Sequence, residues 1–134
     1  MVTRVAITGF GRIGRLTLRA LLESKRKDIK LVALNAAGTP DSVAHLFEYD
    51  SIHGRYQGNS KTTQSSINFG NGAVKLVSAR DPKDLPWKNL DVDVVLECTG
   101  AFNTKEQSMA HIEAGCQRVL ISAPTKTADL TVVY

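Results

Sequence analysis

The sequence predicts an α/β domain built on a mostly parallel, doubly wound sheet. Short apolar, β-branched runs alternate with amphipathic runs of helix length. The first strand-helix-strand unit closes within about 35 residues, which implies a parallel pair joined by a right-handed crossover. The same alternation then continues to the end of the chain.

Val2–Thr8 (VTRVAIT) reads as the first strand. Residues 12–24 (RIGRLTLRALLES) read as a helix, with Arg12, Arg15 and Arg19 as one solvated polar stripe and Ile13, Leu16, Leu18, Leu21 and Leu22 covering the rest. Ser24–Asp28 is a polar break, and Ile29–Asn35 (IKLVALN) is the second strand. Gly38–Ser42 turns into a helix over about residues 41–49. Residues 53–72 are polar and rich in Gly, Asn, Ser and Thr, which predicts a surface excursion with Asn71-Gly72 as a hairpin turn. Strands follow at Val74–Ser78, Val92–Cys98 and Arg118–Ser122. A helix over Lys105–Ala114 ends at Gly115 as its C-terminal cap, and Leu130–Tyr134 begins a last strand.

Composition limits the function. The 134 residues suit one domain, 43% hydrophobic and 22% charged. No run approaches the roughly 18 apolar residues of a membrane span, and the N-terminus lacks the pattern of a signal peptide. Cys98 and Cys116 suggest neither a disulfide scaffold nor a metal site, which fits a reducing cytoplasm. The net charge of +4 is too mild to argue for nucleic acid.

Ile7–Arg15 reads ITGFGRIGR, a G-x-G-x-x-G turn. The spacing alone also occurs in kinase phosphate loops and in plain packing turns. Here a strand precedes it and a helix starts inside it, the context of a Rossmann-type dinucleotide site. Gly9 permits the sharp turn, Gly11 admits a pyrophosphate close to the backbone, and Gly14 lets the helix lie on the strand. The N–H groups of Arg12 and Ile13 form the positive helix end. The fingerprint expects an acid about 20 residues on to hold the adenosine ribose. Leu34-Asn35-Ala36-Ala37-Gly38 carries none, and Asp41 lies too far round the turn. Losing one ribose hydrogen bond costs about 0.5–1.5 kcal/mol. A carboxylate facing a 2′-phosphate would repel it by about 4 kcal/mol at 4 Å. The missing acid therefore favours NADP more than it harms NAD, and the cofactor is expected to be NAD or NADP, with NADP tolerated.

The chain resembles the N-terminal, cofactor-binding part of the phosphorylating glyceraldehyde-3-phosphate dehydrogenases. The resemblance rests on ITGFGRIGR, Ala44-His45-Leu46, YDSIHG at Tyr49–Gly54, Arg80-Asp81-Pro82, Leu85-Pro86-Trp87, Glu97-Cys98-Thr99-Gly100, HIEAG at His111–Gly115 and Ile121-Ser122-Ala123-Pro124. It implies that Asn35 and Ala36 flank the adenosine ribose and that Arg80 lies against the adenine, within reach of a 2′-phosphate. It implies that Thr99 and Gly100 pass close to the cofactor, with Phe102 beside the adenine, and that Ser122 and Ala123 line the nicotinamide ribose. Thr8 departs from the family's usual Asn. The neutral Asn35-Ala36 pair looks like the NADP-tolerant branch, and Thr131–Tyr134 looks like the related erythrose-4-phosphate dehydrogenases.

The resemblance also implies a catalytic domain beyond Tyr134, so that residues 1–134 are the dinucleotide-binding domain and full-length members are homotetramers. The family's nucleophile lies in a Ser-Cys-Thr-Thr-Asn motif that this sequence does not contain. Cys98 and Cys116 are poor substitutes, and His45, His53 and His111 read as structural or surface residues. The expected role is cofactor binding without turnover. A stand-alone module that senses dinucleotide or binds RNA is the contrasting reading, the RNA option resting on Arg12, Arg15, Arg19 and Lys25-Arg26-Lys27.

Overall fold

The computed structural model describes residues 1–133. The elements run β1 (Thr3–Thr8), α1 (Arg12–Glu23), β2 (Ile29–Asn35), α2 (Pro40–Glu48), β3 (Tyr49–Asp50), β4 (Gly54–Arg55), β5 (Lys61–Thr62), β6 (Ser66–Asn68) and β7 (Ala73–Val77). A single 3-10 turn (Pro82–Asp84), β8 (Val94–Glu97), α3 (Lys105–Glu113) and β9 (Arg118–Ile121) complete the order.

The main sheet has the order β5-β6-β7-β2-β1-β8-β9. β7, β2, β1, β8 and β9 are parallel, while β5, β6 and β7 form an antiparallel extension at one edge. From β1 the chain builds outward through β2 to β7, then returns to the other side of β1 to lay down β8 and β9. The reversal lies between β1 and β8, where open α/β sheets bind ligands beyond the strand carboxyl ends. Register brings those ends level: Val77 pairs with Asn35, Asn35 with Thr8, Thr8 with Glu97, and Glu97 with Ile121.

Both faces of the sheet carry a core, but the α1 face stays open at β9, where Leu120 is 52% exposed. Ile7, Leu34, Leu18, Val43, Phe47, Ile67 and Phe69 form one core beneath α1 and α2. Ala6, Ala33, Val95, Trp87, Val92 and Cys116 form the other, towards α3 and the 3-10 turn. Neighbouring residues of β1 and β2 thus serve opposite cores, as a strand period of two requires. Gly115 follows α3 at φ +120°, and a Cβ there would stand 2.5 Å from Lys88 Cβ, so the expected glycine stop holds.

Four expectations change. The polar segment 53–72 does contain a hairpin, with Asn71-Gly72 in the β6–β7 connection, but Ile67 and Phe69 turn inward and complete a core. The strand expected from Val92 starts at Val94. Asp91 sits at φ +50°, and Val92 N–H bonds the Trp87 carbonyl rather than a neighbouring strand. Leu130–Val133 form no strand and are exposed, while Tyr134 lies outside the described residues. The arginines of α1 are not a solvated stripe. Arg19 is buried and its guanidinium donates to the carbonyls of Phe47, His53 and Gly54, while Arg12 pairs with Asp50.

Candidate dinucleotide site

The glycine turn is shaped by two close approaches and one open space. Gly9 has φ +89°, and a Cβ there would stand 2.7 Å from Thr99 N and 2.8 Å from Cys98 C, both backbone atoms. A Cβ on Gly14 would fall 2.1 Å from Gly9 O. These two glycines are demanded by packing, one against the β8 exit and one against the turn itself. Gly11 differs. Its φ is an ordinary −72°, and a Cβ there would meet no described atom within 4 Å. The protein's own packing gives no reason for that glycine.

The start of α1 is also unusual. No side chain caps it, and the first helical hydrogen bond runs from Arg15 N–H to Gly11 O. Among the described residues, the N–H groups of Arg12, Ile13 and Gly14 have no protein partner. Both other helices carry reciprocal capping boxes, Thr39 with Ser42 and Thr104 with Gln107. An uncapped helix start beneath a bare glycine is an anion site made of backbone dipoles.

The Arg12 side chain is already engaged. Its guanidinium lies 3.2 Å from Asp50 Oδ2, and Asp50 Oδ1 accepts from the N–H groups of Ile52 and His53 at 2.8 Å each. Those N–H groups, with help from Arg12, hold the Asp50 carboxyl down at about 2. An anion here would therefore meet the backbone of Arg12 rather than its side chain. Lys25, Arg26 and Lys27 sit past the far end of α1, at the amino ends of the strands. Arg26 is paired with Asp28, and a shallow groove there is lined by Val2, Arg26, Lys27, Ile29, Lys30 and Asn71. The basic residues behind the RNA reading do not share one crevice.

Asn35 closes the β2 side of the site. Its Nδ2 donates to Thr8 Oγ1 at 2.9 Å and Ala79 O at 3.0 Å, and its Oδ1 accepts from Ala79 N at 2.9 Å. Both amide protons are spent on protein, so the Asn35 side chain braces β1 and the segment after β7. Ala36 N bonds Val77 O, which ties the β2 and β7 exits together, and Arg80 follows the β7 exit as an exposed residue. Thr8 supplies the hydroxyl that this bridge needs.

The β8 side carries Thr99 and Gly100, both exposed, the latter at φ +74° with open space around it. Behind them lies a buried polar chain that sequence reasoning missed. Glu97 and His111 are 1% and 0% exposed. Glu97 Oε1 accepts from Thr99 N at 2.9 Å and from Thr99 Oγ1, and its Oε2 lies 2.7 Å from His111 Nε2. His111 Nδ1 accepts from the Trp87 indole N–H at 3.0 Å. The available signal was an acid inside the apolar strand VVLEC, since a buried carboxylate requires partners. Phe102 is half-buried, edge-on to the His111 ring at 6.5 Å, with its carbonyl accepting from Ser108 Oγ. Ser122 and Ala123 follow β9 on the same sheet edge.

All the residues expected to meet the cofactor thus gather at the carboxyl edge. Burial pushes the Cys98 thiol up, and pushes Cys116 to about 11. His45 is exposed beside Tyr49, His53 sits by Asp50, and His111 is a core residue.

A doubly wound sheet with an open-centred glycine turn at its switch point defines a dinucleotide-binding domain. Residues 3–105 match the family described as glyceraldehyde 3-phosphate dehydrogenase, NAD binding domain, and the chain belongs to that family. It is 52% identical over 134 residues to a glyceraldehyde-3-phosphate dehydrogenase of Xanthobacter flavus, covering all of this chain and 40% of that protein. It is 48% identical to the enzyme of that name from Cereibacter sphaeroides, with the same coverage. It is 46% identical to glyceraldehyde-3-phosphate dehydrogenase 2 of Bacillus subtilis, covering 99% of this chain and 38% of the relative. The chain therefore spans about two fifths of the length of these curated relatives.

Proposed function

We propose that this chain is the cofactor-holding part of an enzyme that oxidises glyceraldehyde 3-phosphate to an acyl phosphate, passing hydride to NAD or NADP. The carrying observation is Gly11, a glycine with no packing duty over a helix start with no cap. The backbone of Arg12 and Ile13 holds the pyrophosphate. Asn35 and Ala36 border the adenosine ribose, with Arg80 beside them. Thr99, Gly100 and Phe102 form the opposite wall, and Ser122 and Ala123 meet the nicotinamide ribose. The substrate follows the names of the relatives, and erythrose 4-phosphate is the competing aldehyde.

The 134 residues bind cofactor without turnover, because the covalent chemistry needs an activated thiolate and both thiols here are raised. Full-length protein works as a cytoplasmic homotetramer. Among the described residues no helix is long and apolar enough to cross a membrane.

NADP is accepted because Ala36 offers no charge to a 2′-phosphate and Arg80 stands beside it. Calorimetric titration of both cofactors tests this. The two dissociation constants are expected to lie within about ten-fold of each other. Ala36→Asp should then weaken NADP by at least about ten-fold while sparing NAD. NADP binding more than ten-fold weaker than NAD in the unaltered chain overturns the NADP reading. Aldehyde-dependent NAD(P)H formation by the 134 residues overturns the assignment of binding without turnover.

A further inference from the structure

We infer that Glu97 is a positioning residue for the bound dinucleotide, holding the Thr99–Gly100 turn through a buried one-way chain to His111 and Trp87. The inference rests on NAD binding at the glycine turn.

Glu97 is the last residue of β8, level with Thr8 and Ile121. An apolar residue there would fill a core site without the cost of a buried charge, so the carboxylate is not needed for packing. It spends one oxygen on Thr99, accepting from both its N–H and its hydroxyl, and the other on His111. Thr99 Oγ1 in turn accepts from Ala101 N–H at 3.0 Å, which sets the next peptide of the turn.

The direction of the chain is fixed by chemistry. An indole N–H only donates, so His111 Nδ1 facing Trp87 is bare. Nε2 then carries the imidazole proton and donates to Glu97. Each member has one orientation that satisfies its neighbours, and Trp87, His111 and Glu97 are all buried. Such a set specifies geometry more than it adds stability.

That geometry reaches the crevice. Thr99 N and Cα stand 2.7 and 2.8 Å from the place a Gly9 Cβ would take, so the turn Glu97 holds is the wall of the glycine turn. Phe102 leans on His111 from the same loop. A shift of Glu97 moves the wall that faces the pyrophosphate.

Glu97→Gln keeps the volume and breaks the logic. Its amide can accept at one end only. If its NH2 faces Thr99 N–H, the turn is released. If it faces His111, the imidazole must move its proton to Nδ1, against the Trp87 N–H. Trp87→Phe breaks the other end and keeps an aromatic ring in the core, at the cost of a small void. Trp87 is the chain's single tryptophan, so its emission and indole proton resonance are unambiguous reporters.

The experiment titrates oxidised NAD into the unaltered chain, Glu97→Gln and Trp87→Phe. The expected result is that NAD saturation shifts the Trp87 indole resonance in the unaltered chain and in Glu97→Gln does not. The dissociation constant should rise about ten-fold in Glu97→Gln and about three-fold in Trp87→Phe. A purely structural role would lower the melting temperature of the variants yet leave their affinity, and in Glu97→Gln the Trp87 response, alone. Variants that fold and bind within two-fold of the unaltered chain overturn the inference, as does a Trp87 resonance that ignores NAD in the unaltered chain. If Glu97→Gln does not fold, Trp87→Phe and that resonance decide. Absence of NAD binding by the unaltered chain fails the dinucleotide reading itself and takes this inference with it.

Discussion

The three helices start in two opposite ways. α2 and α3 begin at Thr39 and Thr104, whose hydroxyls accept from the third helical N–H while Ser42 and Gln107 reach back to the caps. α1 begins at Gly11, which offers its first turn nothing. A Ser, Thr, Asp or Asn cap is worth about 0.5 kcal/mol over Gly, so α1 forgoes that stabilisation at a position whose backbone would accept any residue. The difference teaches where the ligand belongs. Two helices cap part of their first turn from within the protein, and among the described residues one leaves its first N–H groups without a protein partner, as the proposed anion site needs.

Breaking the packing behind the open end should have the largest effect. Gly14→Ala places a methyl group 2.1 Å from Gly9 O, inside the turn. Urea denaturation is expected to show a loss of about 3 kcal/mol, and NAD binding should vanish with the turn's shape. A Gly14→Ala chain as stable as the original would show that the helix can lift off the strand freely.

Converting α1 into the other kind of helix gives the sharpest comparison. Gly11→Ser supplies a cap to a site with open space around it. The fold should gain about 0.5 kcal/mol, while NAD binding weakens about ten-fold because the hydroxyl competes for the same N–H groups. Equal NAD affinity in Gly11→Ser would place the dinucleotide elsewhere. The converse change, Thr104→Ala, should cost about 1 kcal/mol in thermal stability and shift NAD affinity by less than about three-fold.

The smallest effect concerns the ionic anchor beside α1. Asp50 titrates at about 2, below the ordinary 3.8 of an aspartate, because His53 and Ile52 N–H groups and then Arg12 favour its charged form. A depressed carboxylate stabilises fully above its unfolded value, and that stability is lost as pH falls through the folded one. The melting temperature of the unaltered chain should therefore drop between pH 4 and about 2. Asp50→Asn should flatten part of that slope, and the two chains should converge near pH 2. An unchanged slope in Asp50→Asn would assign the acid sensitivity to other carboxylates.

Much of this was legible in the residues. The spacing of Gly9, Gly11 and Gly14 between a strand and a helix foretold the turn, and the absence of an acid after Asn35 moved the cofactor question to Ala36 and Arg80. Other features were hidden. Ile67 and Phe69 alternate with Ser66, Asn68 and Gly70, a period of two that is too short to stand out within a polar stretch. Arg19 lies at helical spacing from Arg12 and Arg15, yet it is drawn inward because the carbonyls of Phe47 in α2 and of His53 and Gly54 at the β3–β4 hairpin end beside it. Glu97 is visible as an acid in an apolar strand, but its partner His111 is found only when α3 packs back across the sheet.

The order of elements, the glycine turn and the missing ribose acid belong to the sequence alone, because each depends on residues within a turn or two of one another. The tertiary structure decided which glycine is free of packing, which arginines are spent, and how Trp87, His111 and Glu97 line up behind Thr99. Those outcomes depend on contacts between strands and helices far apart in the chain. Burial then determines whether a polar group must find a partner inside the protein or can wait for one from outside.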